Sequence, residues 1–137
     1  MDKPLTDAIK QYLAQAQVCR LAATRADGTP HIIPLCPVFD GETLYVDIGP
    51  KSTMANAVRH EPHVTVMVDD YYDDWSKLQK VILRCVAERV EGAEQDAAWE
   101  RIREKFPQYK GIDWKPRMTL ALRVQDWIAD GFGTASQ

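Results

Sequence analysis

Segment 49–54 (Gly-Pro-Lys-Ser-Thr-Met) places a lysine and two hydroxyl side chains where a strand pattern gives way to a helix pattern. A helix start presents unpaired N–H groups and the positive end of the helix dipole, so it favours anions. Lys51 adds a full positive charge, and Ser52 and Thr53 add hydroxyl donors. These residue types predict a phosphate site. A structural interpretation is also open, and the frequency of capping serines favours it: Ser52 would only cap the helix, with Lys51 in solvent.

The histidines and aspartates do not form a recognisable metal site. His60 and His63 lie on either side of Pro62, which separates a helix end from a strand start, and no cysteine or third histidine lies nearby. Segment 69–74 contains four aspartates, but their spacing is not that of a calcium loop. We therefore predict no metal site.

Tryptophans and cysteines are the remaining residues of interest. Trp75, Trp114 and Trp127 occur outside the helix patterns, where large aromatic rings can stack on a planar ligand or seal a dimer, although ordinary packing explains them as well. The three cysteines, at positions 19, 36 and 85, are odd in number and lie in apolar stretches. They favour reduced, packed thiols and a cytoplasmic protein.

Composition limits the class of protein. The chain has 137 residues, 45% hydrophobic and 27% charged, with a net charge of −3. This length suits a single domain over residues 1–137. The acidic balance argues against a nucleic-acid binder. No apolar run approaches a membrane span of roughly 18 residues, and the start does not resemble an export signal.

The hydrophobic periodicity predicts the elements that position these residues. Helices are expected over 5–16, 52–60 and around 98–106. Strands are expected over 19–24, 30–39, 44–48, 64–68, 78–90 and 118–124, followed by a loose tail over 131–137. Short turns between strands predict a mainly β protein, a six-stranded antiparallel barrel with peripheral helices. Pro34 and Pro37 interrupt the second strand, which therefore needs an open edge, a bulge or a ligand beside it.

Several of these pieces occur together in a known family. Residues 19–35 give a strand, the turn Asp-Gly-Thr-Pro-His and a second strand. Asp40-Gly41, the strand start Leu44-Tyr45-Val46, a helix ending in Glu61-Pro62 before a valine-rich strand, and the strand 81–90 follow. Over residues 5–132 the chain resembles the FMN-binding split-barrel family typified by pyridoxamine 5′-phosphate oxidase.

The resemblance implies a homodimer with the cofactor in a groove at the interface, acting as an FMN-dependent oxidoreductase on a small molecule of unknown identity. Its catalytic residues are not indicated. The implied phosphate ligands are Lys51, Ser52 and Thr53. The implied lining of the isoalloxazine ring is Ile33, Pro34, Leu35, Cys36, Asp47 and Ile48, with Trp75 and Trp127 as candidate contacts from the second subunit.

One motif departs from the family pattern. Tight FMN binders often carry Ser-Arg-Lys at the helix start, whereas this chain has Ser52, Thr53 and Met54. The loss of two charge-assisted contacts leaves three alternatives open. These are a related deazaflavin coenzyme used by a reductase, a non-enzymatic flavin or haem carrier or sensor, and a structural dimer without a cofactor.

Overall fold

The computed structural model describes residues 3–133 of the chain. Its helices are α1 (Asp7–Gln15), α2 (Thr53–His60) and α3 (Gly92–Lys105). Its strands are β1 (Cys19–Thr24), β2 (Pro30–Leu35), β3 (Val38–Phe39), β4 (Thr43–Ile48), β5 (His63–Asp70), β6 (Gln79–Arg89) and β7 (Met118–Asp130). Short 3₁₀ helices cover Trp75–Lys77 and Pro107–Gly111.

The strands form one antiparallel sheet in the order β2-β1-β5-β6-β7-β4-β3. The sheet curls into a half-barrel, and a register shift between Arg84 and Cys85 marks a bulge in the long β6–β7 pair. The predicted mainly β split barrel is confirmed.

The described residues contain seven strands rather than the six expected. The predicted second strand, 30–39, divides at Cys36 and Pro37 into β2, which pairs with β1, and β3, which pairs with β4. Proline has no N–H for a ladder, and the chain leaves one sheet edge here to reach the other. Among the strands of residues 3–133, only β1 pairs with β2, which supplies the open edge that Pro34 needs.

The last strand is longer than expected, because Trp127 and Ala129 continue its alternation into the core. Residues 131–133 lie in bends after it, and the Phe132 ring packs edge-on against Tyr12 at 5.1 Å between centroids. The remainder of the predicted loose tail, 134–137, lies outside the described residues.

Within residues 3–133, two clusters of buried side chains stabilise the fold. The main one joins α1, the inner face of the barrel strands and the apolar face of α2, which contributes Met54, Ala55, Ala57 and Val58. The second joins α3 to the opposite face of the sheet, including Val38, Tyr45 and Ala121. Successive side chains of a strand point to opposite faces of the sheet, and nearly all side chains of β4 are buried. β4 is therefore packed on both faces, and this packing fixes its position before α2. No helix among residues 3–133 is long and apolar enough to cross a membrane.

Candidate functional site

Ser52 makes two side-chain hydrogen bonds at the junction between β4 and α2. Its Oγ accepts a hydrogen bond from the N–H of Ala55 at 3.1 Å and donates to the carbonyl oxygen of Gly49 at 2.7 Å. Ser52 is thus the helix N-cap that the structural interpretation proposed. In residues 3–133 no acceptor occupies the N–H groups of Thr53 and Met54. These two donors of the first turn remain available to an anion.

The next two positions differ in exposure. Thr53 is exposed and faces solvent, as does Lys51 before the cap. Met54 is only 1% exposed and packs in the main core. A cation could therefore act on a ligand from position 53 but not from position 54 in this conformation.

Three arginines that the sequence did not indicate lie around this junction. Arg59 Nη1 donates to the carbonyl oxygen of Pro50 at 2.8 Å. Arg117 Nη1 lies 3.4 Å from the position that a Cβ on Gly49 would occupy. Arg25, at the end of β1, lines a cleft together with Thr53. Arg59 follows Ser52 by two helical turns, so its place on the same helix could have been predicted from the sequence. The proximity of Arg25 and Arg117 to the junction depends on the strand register and could not.

The cleft between the β1–β2 turn and α2 has a volume of about 310 Å³ and is lined by Arg25, Ala26, Asp27, Thr53, Asn56 and Ala57. The Asp27 carboxylate adds a negative charge to this cleft, opposite in sign to that of Arg25. The same carboxylate accepts bonds from the hydroxyl of Thr29 at 2.6 Å and the N–H of Thr29 at 3.0 Å, which lower the pKa of Asp27. The Asp27 carboxylate also pairs with the Arg25 guanidinium at 3.8 Å, which partly neutralises the charge of Arg25. Lys51 is therefore the cation more available to an anionic ligand.

The expected ring-lining residues of β2 divide into two sets. Ile33 and Leu35 are half-buried and pack against the main core, whereas Pro34 and Cys36 are exposed. Exposure of Cys36 contradicts the expectation that all three cysteines are packed, because the chain leaves the sheet at this residue. Burial raises the pKa of the other two thiols, Cys19 and Cys85, to about 12.

The two expected residues of β4 also differ. Ile48 is 3% exposed and points into the core, so only its backbone is available to a ligand. Asp47 accepts hydrogen bonds from the N–H of Arg117 at 3.0 Å and from Thr119 Oγ1 at 3.2 Å, and its side chain is 9% exposed. Asp47 therefore ties the start of β7 to the end of β4.

Cys36, which follows β2, and Asp47 of β4 both lie near the Tyr109 phenol, although β2 and β4 are far apart in the sheet order. After burial, which is the largest cause, the charges of these two side chains raise the pKa of the Tyr109 phenol. Lys105 helps to hold this region, because its ammonium donates to the carbonyl oxygens of Ala16 and, at 2.8 Å, of Pro37. The curl of the sheet thus brings the end of β2 and the β4–α2 junction to one side of the molecule.

The two tryptophans expected from a second subunit are in different environments. Trp75 is 72% exposed on the loop between β5 and β6, and its Nε1 donates to the Tyr71 hydroxyl at 3.2 Å. Trp127 is 4% exposed, donates to the carbonyl oxygen of Lys3 at 2.8 Å and lies under the Lys3 ammonium. Trp75 is available to a partner, whereas the Trp127 ring is enclosed by its own chain.

No group of three or more histidine, cysteine, aspartate or glutamate side chains within residues 3–133 is arranged to hold a metal ion. His63 is exposed and pairs with Glu61 at 3.2 Å.

A curled antiparallel sheet with peripheral helices is the architecture of the split-barrel proteins. The chain matches the pyridoxamine 5′-phosphate oxidase family over residues 6–129 and belongs to that family. A comparison with curated protein sequences finds no match.

Solved structures share the fold at low sequence identity. The heme storage protein HutZ from Vibrio cholerae is 20% identical with a TM-score of 0.79, covering 95% of this chain and 97% of that one. A heme binding protein from Mycobacterium smegmatis is 21% identical with a TM-score of 0.76, and the match covers 94% of this chain. This chain spans 55% of the length of that protein. An FAD binding protein from Mycobacterium smegmatis is 18% identical with a TM-score of 0.67, covering 92% and 94%.

Proposed function

We propose that this protein binds FMN with its phosphate at the start of α2 and acts as an FMN-dependent oxidoreductase on a small molecule. The observation that carries the proposal is that the N–H groups of Thr53 and Met54 have no acceptor in the described part of the chain, 3–133, and that Lys51 is exposed beside them. When bound, FMN supplies hydride transfer, and the protein supplies binding, orientation and hydrogen bonds.

The residues present fit a single phosphate. The N–H groups of Thr53 and Met54 would bind its oxygens, and Lys51 would add a charge-assisted contact. Arg59 and Arg117 stand where they supplement the missing cations of the family motif, but each already donates to a protein oxygen. We therefore expect weaker binding than a Ser-Arg-Lys helix start gives.

The exposed edge of β2 would lie along the flavin ring. Pro34 and Cys36 are exposed there, and the outer edge of the strand has no neighbouring strand within residues 3–133. Ile33 and Leu35 would support that edge from the core side. We propose that a second copy of the chain covers the ring, which makes the working unit a homodimer, with exposed Trp75 as a candidate contact from the partner.

The test is a titration of the purified protein with FMN and with riboflavin, which lacks the phosphate. We expect FMN to bind more tightly than riboflavin. The variant Lys51→Ala should weaken FMN binding by about fivefold to tenfold and leave riboflavin binding unchanged, because an exposed charge-assisted contact contributes about 1 kcal/mol or slightly more. Lys77→Ala, which removes an exposed lysine on the Trp75–Lys77 3₁₀ helix, is the matched control.

Equal affinity of FMN for wild type and Lys51→Ala would show that the phosphate lies elsewhere. Parallel titrations with haem and with the deazaflavin coenzyme test the alternatives. Binding of haem but of neither flavin nor deazaflavin would support a carrier or sensor instead of an oxidoreductase. A monomer by light scattering with FMN bound would contradict the shared groove. With FMN bound, turnover with a reduced nicotinamide donor separates an enzyme from a carrier.

A further inference from the structure

Three aromatic rings between α3 and β7 form a connected series that ends at the surface. Trp99 and Tyr109 pack edge-to-face at 5.4 Å between centroids, and Tyr109 and Trp114 pack in the same way at 5.3 Å. Trp99 and Tyr109 are half-buried against the second core cluster. Trp114 is 48% exposed. The indole of Trp114 is thus held by Tyr109, which is itself supported by Trp99, and still has exposed surface.

Charged side chains surround the exposed indole. The Arg117 guanidinium carbon lies 5.8 Å from the centroid of the Trp114 ring. Trp114 and Arg117 line an open cleft of about 470 Å³ with Asp113 and Lys115. This volume lies within the range of about 300–1,000 Å³ that small-molecule sites occupy.

The charges in this cleft cancel. Arg117 pairs with Asp47, its Nε lying 3.5 Å from Oδ2, and Lys115 shares the cleft with Asp113. Asp47 does not line the cleft, but when it is counted as the partner of Arg117, two cations stand against two carboxylates among residues 3–133, which leaves little net charge to attract an anion. The guanidinium and the ammonium still carry N–H groups that can donate to neutral acceptors.

We propose that this cleft binds an uncharged planar aromatic carbonyl compound, with the ring stacked on Trp114 and the carbonyl oxygen accepting from Arg117 or Lys115. An electron-rich indole stacks well on a planar ring whose carbonyl group withdraws electrons. Because Trp114 is already oriented by Tyr109, binding costs little ordering of the platform.

The assignment of this ligand as a substrate rests on the proposed function. Arg117 connects the two sites, since it contacts Asp47 and Trp114 and lies beside Gly49 at the β4–α2 junction. A ring stacked on Trp114 would thus lie next to the proposed cofactor site. The binding itself requires no flavin and is tested without it.

The probe is 9-acridone, a fluorescent, uncharged, planar carbonyl compound, whose anisotropy is measured as flavin-free protein is added. We expect saturable binding of one molecule per chain. Trp114→Ala should weaken it by about tenfold or more, because removal of one stacking ring from a nucleobase costs about 1–3 kcal/mol in other proteins. Trp114→Phe keeps a ring and should stay within about threefold of wild type. Tyr72→Ala, which removes an exposed aromatic ring on the loop between β5 and β6, should bind as wild type.

Absence of saturable binding to wild type, or wild-type affinity in Trp114→Ala, would overturn the proposal. Loss of affinity in Tyr72→Ala but not in Trp114→Ala would place the ligand on the loop between β5 and β6. FMN titrations of the same variants separate the two proposals. If the wild type binds acridone through Trp114 but does not bind FMN, the proposed cleft ligand stands and the proposed cofactor is wrong. If it binds FMN but not acridone, only the proposal for the cleft is wrong.

Discussion

Arg117 donates to Asp47 from both its backbone and its side chain, with N to Oδ1 at 3.0 Å and Nε to Oδ2 at 3.5 Å. One carboxylate thereby fixes the direction of the chain as it enters β7 and the direction of the guanidinium. That guanidinium stands between the proposed phosphate site and the Trp114 cleft, so Asp47 positions a group that both proposals use.

Asp47→Asn should lower the free energy of unfolding by about 1–2 kcal/mol, because an amide cannot accept charge-assisted bonds from Arg117 and Thr119 equally well. Chemical denaturation measures this. Asp126→Asn is the control, since the Asp126 side chain is 63% exposed and its partner Lys3 lies 3.9 Å away. We expect a change below about 0.5 kcal/mol there. Equal effects of the two variants would mean that the Asp47 bonds are not significant in solution.

The helix start predicts opposite outcomes for two substitutions that restore the family motif. Thr53→Arg adds a cation at an exposed position beside the free N–H groups, so FMN affinity should rise by about fivefold, measured by titration. Met54→Lys places an ammonium where the side chain is 1% exposed, and stability should fall by about 3 kcal/mol or more. A stable Met54→Lys protein with improved FMN affinity would show that α2 rotates on binding.

Glu94 should make stability depend on pH in the acid range. Its hydrogen bonds from Arg123 at 2.8 and 3.1 Å, and from the Tyr45 hydroxyl at 2.5 Å, hold the pKa of Glu94 below its ordinary value of 4.5. A depressed pKa in the folded state means that the contribution is complete above pH 4.5 and is lost as the pH falls through the folded-state pKa.

Glu94→Gln should therefore be less stable by about 1 kcal/mol at neutral pH, a value reduced by solvent screening, and should lose less stability in acid. Denaturation midpoints across the acid range measure both effects. Glu100→Gln, whose carboxylate is 68% exposed, should match wild type. Parallel pH curves for Glu94→Gln and wild type would contradict the assignment.

Gly131, after β7, is constrained by space as well as by backbone angle. Its φ is +86°, and a Cβ would lie 2.2 Å from the carbonyl oxygen of Leu78. Gly131→Ala should cost about 3 kcal/mol, measured by thermal or chemical denaturation. Gly28 has the same φ of +86° with nothing within 4 Å, so Gly28→Ala should show only the backbone cost of about 1 kcal/mol. Equal losses would indicate that Leu78 moves freely.

The sequence by itself determined the order of the elements, the antiparallel character and the helix start at Ser52. Period-two and helical patterns are local, and Ser52 lies three residues before the N–H that it caps, so neighbouring residues carry this information. The sequence also indicated that Pro34 and Pro37 disturb a strand.

Only the tertiary structure decided where that disturbed strand divides, because a change of partner from β1 to β4 leaves no local signal beyond the prolines. It also buried Trp127 and Met54 while leaving Trp114 half-exposed, and it brought Arg25, Arg59 and Arg117 around one helix start. Such proximity arises from strand register and sheet curvature, which bring together residues that are distant in the chain.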